Sequence, residues 1–204
     1  MSDLIFYTNP MSRGRIARWM LEEVGAPYET RLVDWTDKPA DFLAANPMAK
    51  VPTIIHRGQV VTEAGAIIAY LADAFPEAEL APAPAQRAAY YRWMFFAAGP
   101  LEAATTDRAL GVAPTAEQQG MVGYGSLDRV VQALKGAVSA DTYIAGERFT
   151  AADVYVGSHI SWGLQFGSLP NCEEFDRYLA RLMDRPAAVR AREIDDALIA
   201  GATG

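Results

Sequence analysis

Leu4-Ile5-Phe6-Tyr7-Thr8-Asn9-Pro10-Met11-Ser12-Arg13-Gly14 joins an apolar run to a polar turn and a glycine. The run from Leu4 to Tyr7 is short and continuous, which suits a buried strand, and Pro10 stops it. From Ser12 to Val24, the residues Ile16, Met20 and Val24 recur at four-residue spacing among Arg13, Arg15 and Arg18. Gly25-Ala26-Pro27 supplies a stop, so a helix is expected there. Tyr28 to Val33 reads as a second strand. Strand, helix and strand in about thirty residues is the size of a right-handed crossover with two parallel strands.

Further along, a short helix is expected around Pro39 to Ala45. Val51-Pro52-Thr53-Ile54-Ile55-His56 and Gln59-Val60-Val61 read as strands joined across Arg57-Gly58, a hairpin. Ala64 to Phe75 places Ile67, Tyr70, Leu71 and Ala74 on one helical face. The expected order βαβ, α, ββ, α makes an α/β domain of residues 1–78. Prolines at 76, 82 and 84 interrupt the periodicity, and a linker is expected at 79–85. From residue 86 to 204 no strand pattern occurs, and an all-helical bundle domain is expected. Its helices are placed at 86–110 (kinked at Gly99-Pro100), 115–138, 151–164, 173–184 and 186–200.

Composition narrows the function. The chain has 204 residues, 51% hydrophobic and 21% charged, the balance of a globular protein. A net charge of -7 argues against a general binder of phosphate backbones, so no nucleic-acid partner is expected. No apolar run reaches the roughly 18 residues of a membrane span, and Met1-Ser2-Asp3 opens no secretory leader. The single cysteine, Cys172, excludes an intramolecular disulfide. With only two distant histidines, His56 and His159, it makes a metal site an unfavourable reading. These three residues read as structural, and a reducing, cytoplasmic setting is expected.

Three places in the first domain could hold an anionic, peptide-like ligand. Tyr7 to Gly14 is a polar turn between strand and helix, at the positive end of the helix, where free N–H groups attract negative charge. Ser12 on its own reads as an N-cap worth about 1 kcal/mol. Asn46-Pro47-Met48-Ala49-Lys50-Val51-Pro52-Thr53 sets a proline at the entry of an apolar strand, where a cis bond is accessible or an ordinary trans proline starts the strand. Thr62-Glu63-Ala64 puts a carboxylate at a helix start, which alone is commonplace.

Taken in order along the chain, these features resemble the cytosolic glutathione transferase superfamily. The segment from Asn46 to Thr53 is similar to the family's Asn-Pro-x-Gly-Lys-Val-Pro. Thr62-Glu-Ala-Gly-Ala-Ile-Ile-Ala-Tyr-Leu71 is similar to its Glu-Ser-x-x-Ile-x-x-Tyr-Leu. The resemblance implies a thioredoxin-like N-terminal domain with a cis bond before Pro52, a glutathione site on it, an electrophile site facing the helical domain, and a homodimer. Glutathione is then a co-substrate, with no metal.

Carried over residue by residue, Val51 exchanges backbone hydrogen bonds with the cysteinyl part of glutathione, beside Pro52. Lys50 faces the glycyl carboxylate, and Glu63 holds the γ-glutamyl amine. Where the family has Ser, this chain has Ala64, which keeps only an N–H for the γ-glutamyl carboxylate, so weak glutathione binding is expected. Lys38 is a further carboxylate contact under a looser alignment. The implied chemistry is activation of the glutathione thiol by one donor aimed at sulfur in a positive local potential. Ser12 corresponds to the cysteine of the bacterial cysteine class and is the first choice of donor. Asn9 occupies the place of the activating hydroxyl of other classes, and Tyr7 reads as a strand residue. Arg13, Arg15, Arg18 and Lys50 are expected to form the local positive site.

In the helical domain, Phe149-Thr150-Ala151-Ala152-Asp153 resembles the family's hydrophobic staple and capping box, which is folding chemistry. Tyr90, Tyr91, Trp93, Phe95 and Phe96 read mainly as core or interface, with a minority lining the electrophile site. The function implied is conjugation of glutathione to an apolar electrophile. The alternatives are glutathione-dependent peroxidase or disulfide reductase chemistry, or a non-enzymatic binding module.

Overall fold

A computed structural model describes residues 3–202. In chain order the first part comprises β1 (Leu4–Thr8), α1 (Gly14–Val24), β2 (Glu29–Leu32), α2 (Ala40–Ala45), β3 (Thr53–His56), β4 (Gln59–Thr62) and α3 (Ala64–Ala74). The helical part comprises α4 (Ala88–Phe96), α5 (Glu102–Ala109), α6 (Leu127–Ala140), α7 (Ala151–Gln165), α8 (Glu173–Ala180) and α9 (Pro186–Ala202).

The four strands form one sheet in the order β2-β1-β3-β4. β1 and β2 are parallel, as the crossover length requires, and β3 runs antiparallel to both β1 and β4. Alternation along β1 divides the core. Leu4 and Phe6 share one face with Ile54, to which the buried α1 residues Ile16, Met20 and Leu21 and the α3 residues Ile67, Ile68 and Leu71 add apolar bulk. Tyr7 faces the other way, into a smaller cluster with Val33 and Phe42 of α2. Gly14 begins α1 because the helix lies so close to β1 that a Cβ there would sit 1.9 Å from Thr8 Oγ1.

Two compact units divide the chain: one runs to Leu80 and includes the segment from Asp184 onward, and the other is Ala81–Met183. The first boundary falls within the expected linker. The second differs from the expected domain 86–204, because α9 belongs with the α/β unit. Four ion pairs explain this. Arg18–Asp195 is 2.8 Å and 1% exposed on both sides, Arg185 grips both oxygens of Glu23 at 2.7 and 2.8 Å, Arg190 reaches Glu22 at 3.2 Å, and Arg15 pairs with Asp196.

In the second unit the expected kink is a π-helical stretch, Ala97–Leu101, with Pro100 inside it, separating α4 from α5. The helix expected at 115–138 starts only at Leu127. Gly120, Gly123 and Gly125 precede it, Gly125 adopts a φ of 67°, and Ser126 then caps the helix by accepting from Arg129 N–H. α7 begins at the expected capping box of Thr150 and Asp153.

Candidate functional site

Strand register brings the three turns together. Tyr7 pairs with Thr53, and Thr53 pairs with Thr62. The residues just beyond these pairs are Asn9 after β1, Pro52 before β3 and Glu63 after β4. All three therefore lie at one end of the sheet, where α1 and α3 begin.

The first turn is held by its own side chains. Asn9 Nδ2 donates to Val33 O at 3.0 Å and Asn9 Oδ1 accepts from Met11 N–H at 2.9 Å. Ser12 Oγ donates to Asn9 O at 2.6 Å and accepts from Gly14 N–H at 2.9 Å, answering the first N–H of α1 from one residue ahead of its N-cap, Arg13. The hydroxyl's single proton is thereby committed to the turn, whereas the Asn9 amide carries a second N–H beyond the one on Val33. Arg13 is exposed beside them.

Buried Asn46 organises the second segment. Its Nδ2 donates to Lys50 O at 2.8 Å and Thr53 Oγ1 at 3.0 Å, and its Oδ1 accepts from Met48 N–H at 3.1 Å. The Lys50 side chain is exposed. The Val51–Pro52 bond is cis. Sheet pairing begins only at Thr53, so the backbone of Val51 lies outside the ladder.

The third turn is the most unusual. Glu63 precedes α3 with φ 65° and ψ 121°, a conformation that a residue with a Cβ rarely adopts, and its exposed side chain makes no capping bond. Ala64 opens the helix, whose first N–H groups have no intrahelical acceptor.

Charges are distributed differently from the expected cluster of four cations. Arg18 is buried, paired with Asp195, and stacked on Phe6 at 5.2 Å, so it cannot face a ligand. Arg15 is paired with Asp196. Arg13 and Lys50 remain as the exposed cations of the set. The aspartates at 195 and 196 are about 180 positions from their partners, and no spacing in the sequence could have signalled them.

Tyr7 is the strand residue expected. Its hydroxyl donates to Asp41 Oδ2 at 2.7 Å, and Arg31 Nη1 donates to both groups at 2.9 Å. Burial first, then the bond to Asp41, raises the phenol's pKa, while the same bond lowers that of Asp41. Lys38 stands in the segment between β2 and α2. Among the described residues no group of His, Cys, Asp or Glu could hold a metal ion, and no helix is long and apolar enough to cross a membrane.

Family models describe the same two parts. That of the glutathione S-transferase N-terminal domain matches residues 2–73, and that of the C-terminal domain matches residues 110–186. Glutathione S-transferase GstA of Escherichia coli O157:H7 is 30% identical over 165 residues, 78% of each chain. The chain belongs to the glutathione S-transferase family. Solved structures agree with the fold of this transferase. A glutathione transferase from Methylococcus capsulatus superposes with a TM-score of 0.77 at 26% identity, over 95% of this chain and 99% of that one. A theta class enzyme from Xanthomonas axonopodis pv. citri, with glutathione bound, reaches 0.73 at 29% identity over 94% and 97%.

Proposed function

We propose that this glutathione S-transferase binds glutathione at the sheet end formed by 9–14, 46–53 and 62–64 and joins its sulfur to an apolar electrophile. The observation that carries the reading is Glu63. A carboxylate held at positive φ, exposed and without a cap partner, stands at an open helix start. Strained, unsatisfied geometry of this kind persists where a ligand completes it. Glu63 takes the γ-glutamyl amine, and the Ala64 N–H with the helix terminus takes the neighbouring carboxylate. The unpaired backbone of Val51, next to Pro52, accepts the cysteinyl part as a short extra strand. Lys50 and Arg13 face the outer carboxylates.

In this arrangement the cysteinyl sulfur meets the turn of Asn9 and Ser12. Asn9 can donate its second amide N–H without losing a turn bond. Ser12 can donate only by leaving the Asn9 carbonyl. Asn9 is therefore the first donor and Ser12 the second, the reverse of the order read from sequence. The thiol proton leaves to solvent, the sulfur lone pair forms the new bond to carbon, and the leaving group departs with its electron pair. Met11 and Met48, 69% and 71% exposed, give the edges of the site an apolar character suited to such a partner. Family membership supports a homodimeric, cytoplasmic enzyme. Nothing observed favours the peroxidase, reductase or non-enzymatic readings.

Activity with an aryl halide against activity with a hydroperoxide tests the reaction class, and conjugation is expected to dominate. In Ser12→Ala the thiol of bound glutathione is expected to keep its lowered pKa. A return to the free value would restore Ser12 as first donor.

A further inference from the structure

We propose that Asp196, on the last helix, is a positioning residue for the thiol-activating turn, an inference that rests on the reading of that turn given above. Arg15 links the two. Its Nη2 donates to Asp196 Oδ1, and its Nη1 donates to the carbonyl of Pro10 at 3.4 Å. Pro10 lies between Asn9 and Met11, so the guanidinium spans from α9 to the backbone of the turn. The two bonds use different nitrogens of the planar guanidinium, a spacing that a single ammonium nitrogen does not offer.

The far end of this link is fixed. Beside Asp196, Asp195 is locked on buried Arg18, whose Nη1 also reaches Tyr28 Oη at 3.2 Å and Thr30 Oγ1 at 3.3 Å. Further along α1, Glu23 is held by Arg185, just ahead of α9, and Glu22 by Arg190 within it. α9 is thus anchored to α1 at several levels, and Asp196 presents its carboxylate from a rigid support. The Arg15–Asp196 pair itself is 26% and 57% exposed, so it contributes little to stability. Its consequence is geometric: it aims Arg15 at Pro10 O and so steadies the two donors that flank that carbonyl.

The sign of one measurement separates positioning from simple charge. Removing a nearby negative charge would lower the thiol pKa of bound glutathione. Loosening the donor turn raises it. In Asp196→Ala the pKa is expected to rise by about half a pH unit or more, with kcat falling and KM nearly unchanged. Asp196→Glu is expected to restore it, and Arg15→Lys is expected to behave like Asp196→Ala. A second readout needs no glutathione. The amides of Met11 and Gly14, which donate to Asn9 Oδ1 and Ser12 Oγ, should exchange their hydrogens roughly tenfold faster in Asp196→Ala. Unchanged exchange, or a lowered thiol pKa, overturns the proposal. Faster exchange in a protein that fails to bind glutathione would keep the link and overturn only the reading of the site.

Discussion

Two helix starts in this molecule are built in opposite ways. At α7 the buried Asp153 accepts from Thr150 N–H, Ile144 N–H and Tyr178 Oη, each at 2.8 Å, and from Thr150 Oγ1 at 3.1 Å. Both oxygens of the carboxylate are answered from within the chain, and the N-cap Thr150 sits in relaxed extended backbone. At α3 the acidic residue is also beside the first turn, but Glu63 is exposed, without a capping bond, at φ 65°. A closed terminus serves folding. An open one, kept at a backbone cost of about 1–3 kcal/mol, is suited to a ligand.

The largest expected effect breaks the closed terminus. Asp153→Ala leaves two buried N–H groups and two hydroxyls without this acceptor, and a loss of about 3–5 kcal/mol is expected in equilibrium urea unfolding. A loss below about 1 kcal/mol would mean that the network is not what holds α7.

At the open terminus the effect should fall on binding. Glu63→Gln is expected to weaken glutathione tenfold to a hundredfold by calorimetry, about 1.5–3 kcal/mol, with an unfolding midpoint close to that of the parent. Glu63→Gly goes further. Glycine accepts the positive φ, so stability should rise by about 1 kcal/mol while binding is lost. A variant less stable than the parent would argue against strain at this position.

A smaller gain sharpens the same contrast. Ala64→Ser adds one donor to the open start and should tighten glutathione by up to about tenfold. No gain would show that another group already fills that role. A control lies away from both termini. Burial and the hydrogen bond to Glu22 push the Tyr28 phenol up to about 12. Its contribution, read as the stability difference from Tyr28→Phe, should be constant below about pH 10, the unfolded value, and be lost between about 10 and 12.

Much of this was legible in sequence where local pattern decides the outcome. The apolar run from Leu4 to Tyr7, the stop at Gly25 and the hairpin across Arg57-Gly58 each depend on neighbours a few residues away. Of the three candidate segments, 46–53 and 62–64 could be named from family motifs and the first turn from its polar residues at a helix start, and strand register brings all three to one end of the sheet. Contacts of long range were not legible. Arg15 and Arg18 read as free cations beside Ser12, because nothing near them shows the aspartates of α9 that neutralise them. The break at 115–126 was also missed, since apolar spacing masked three glycines, one of which takes a left-handed conformation. The order of Asn9 and Ser12 changed for a third reason: spare hydrogen-bonding capacity is visible only once partners are known.

The central claim is that this sheet end is the glutathione site. Glutathione titrated into the isotopically labelled protein, with backbone amide shifts followed by NMR, tests it most directly. The account predicts saturable shifts concentrated at Ser12, Arg13, Val51, Ala64 and Gly65, all weakened together by Glu63→Gln. Shifts that cluster elsewhere in the chain, or none at millimolar glutathione, would contradict it.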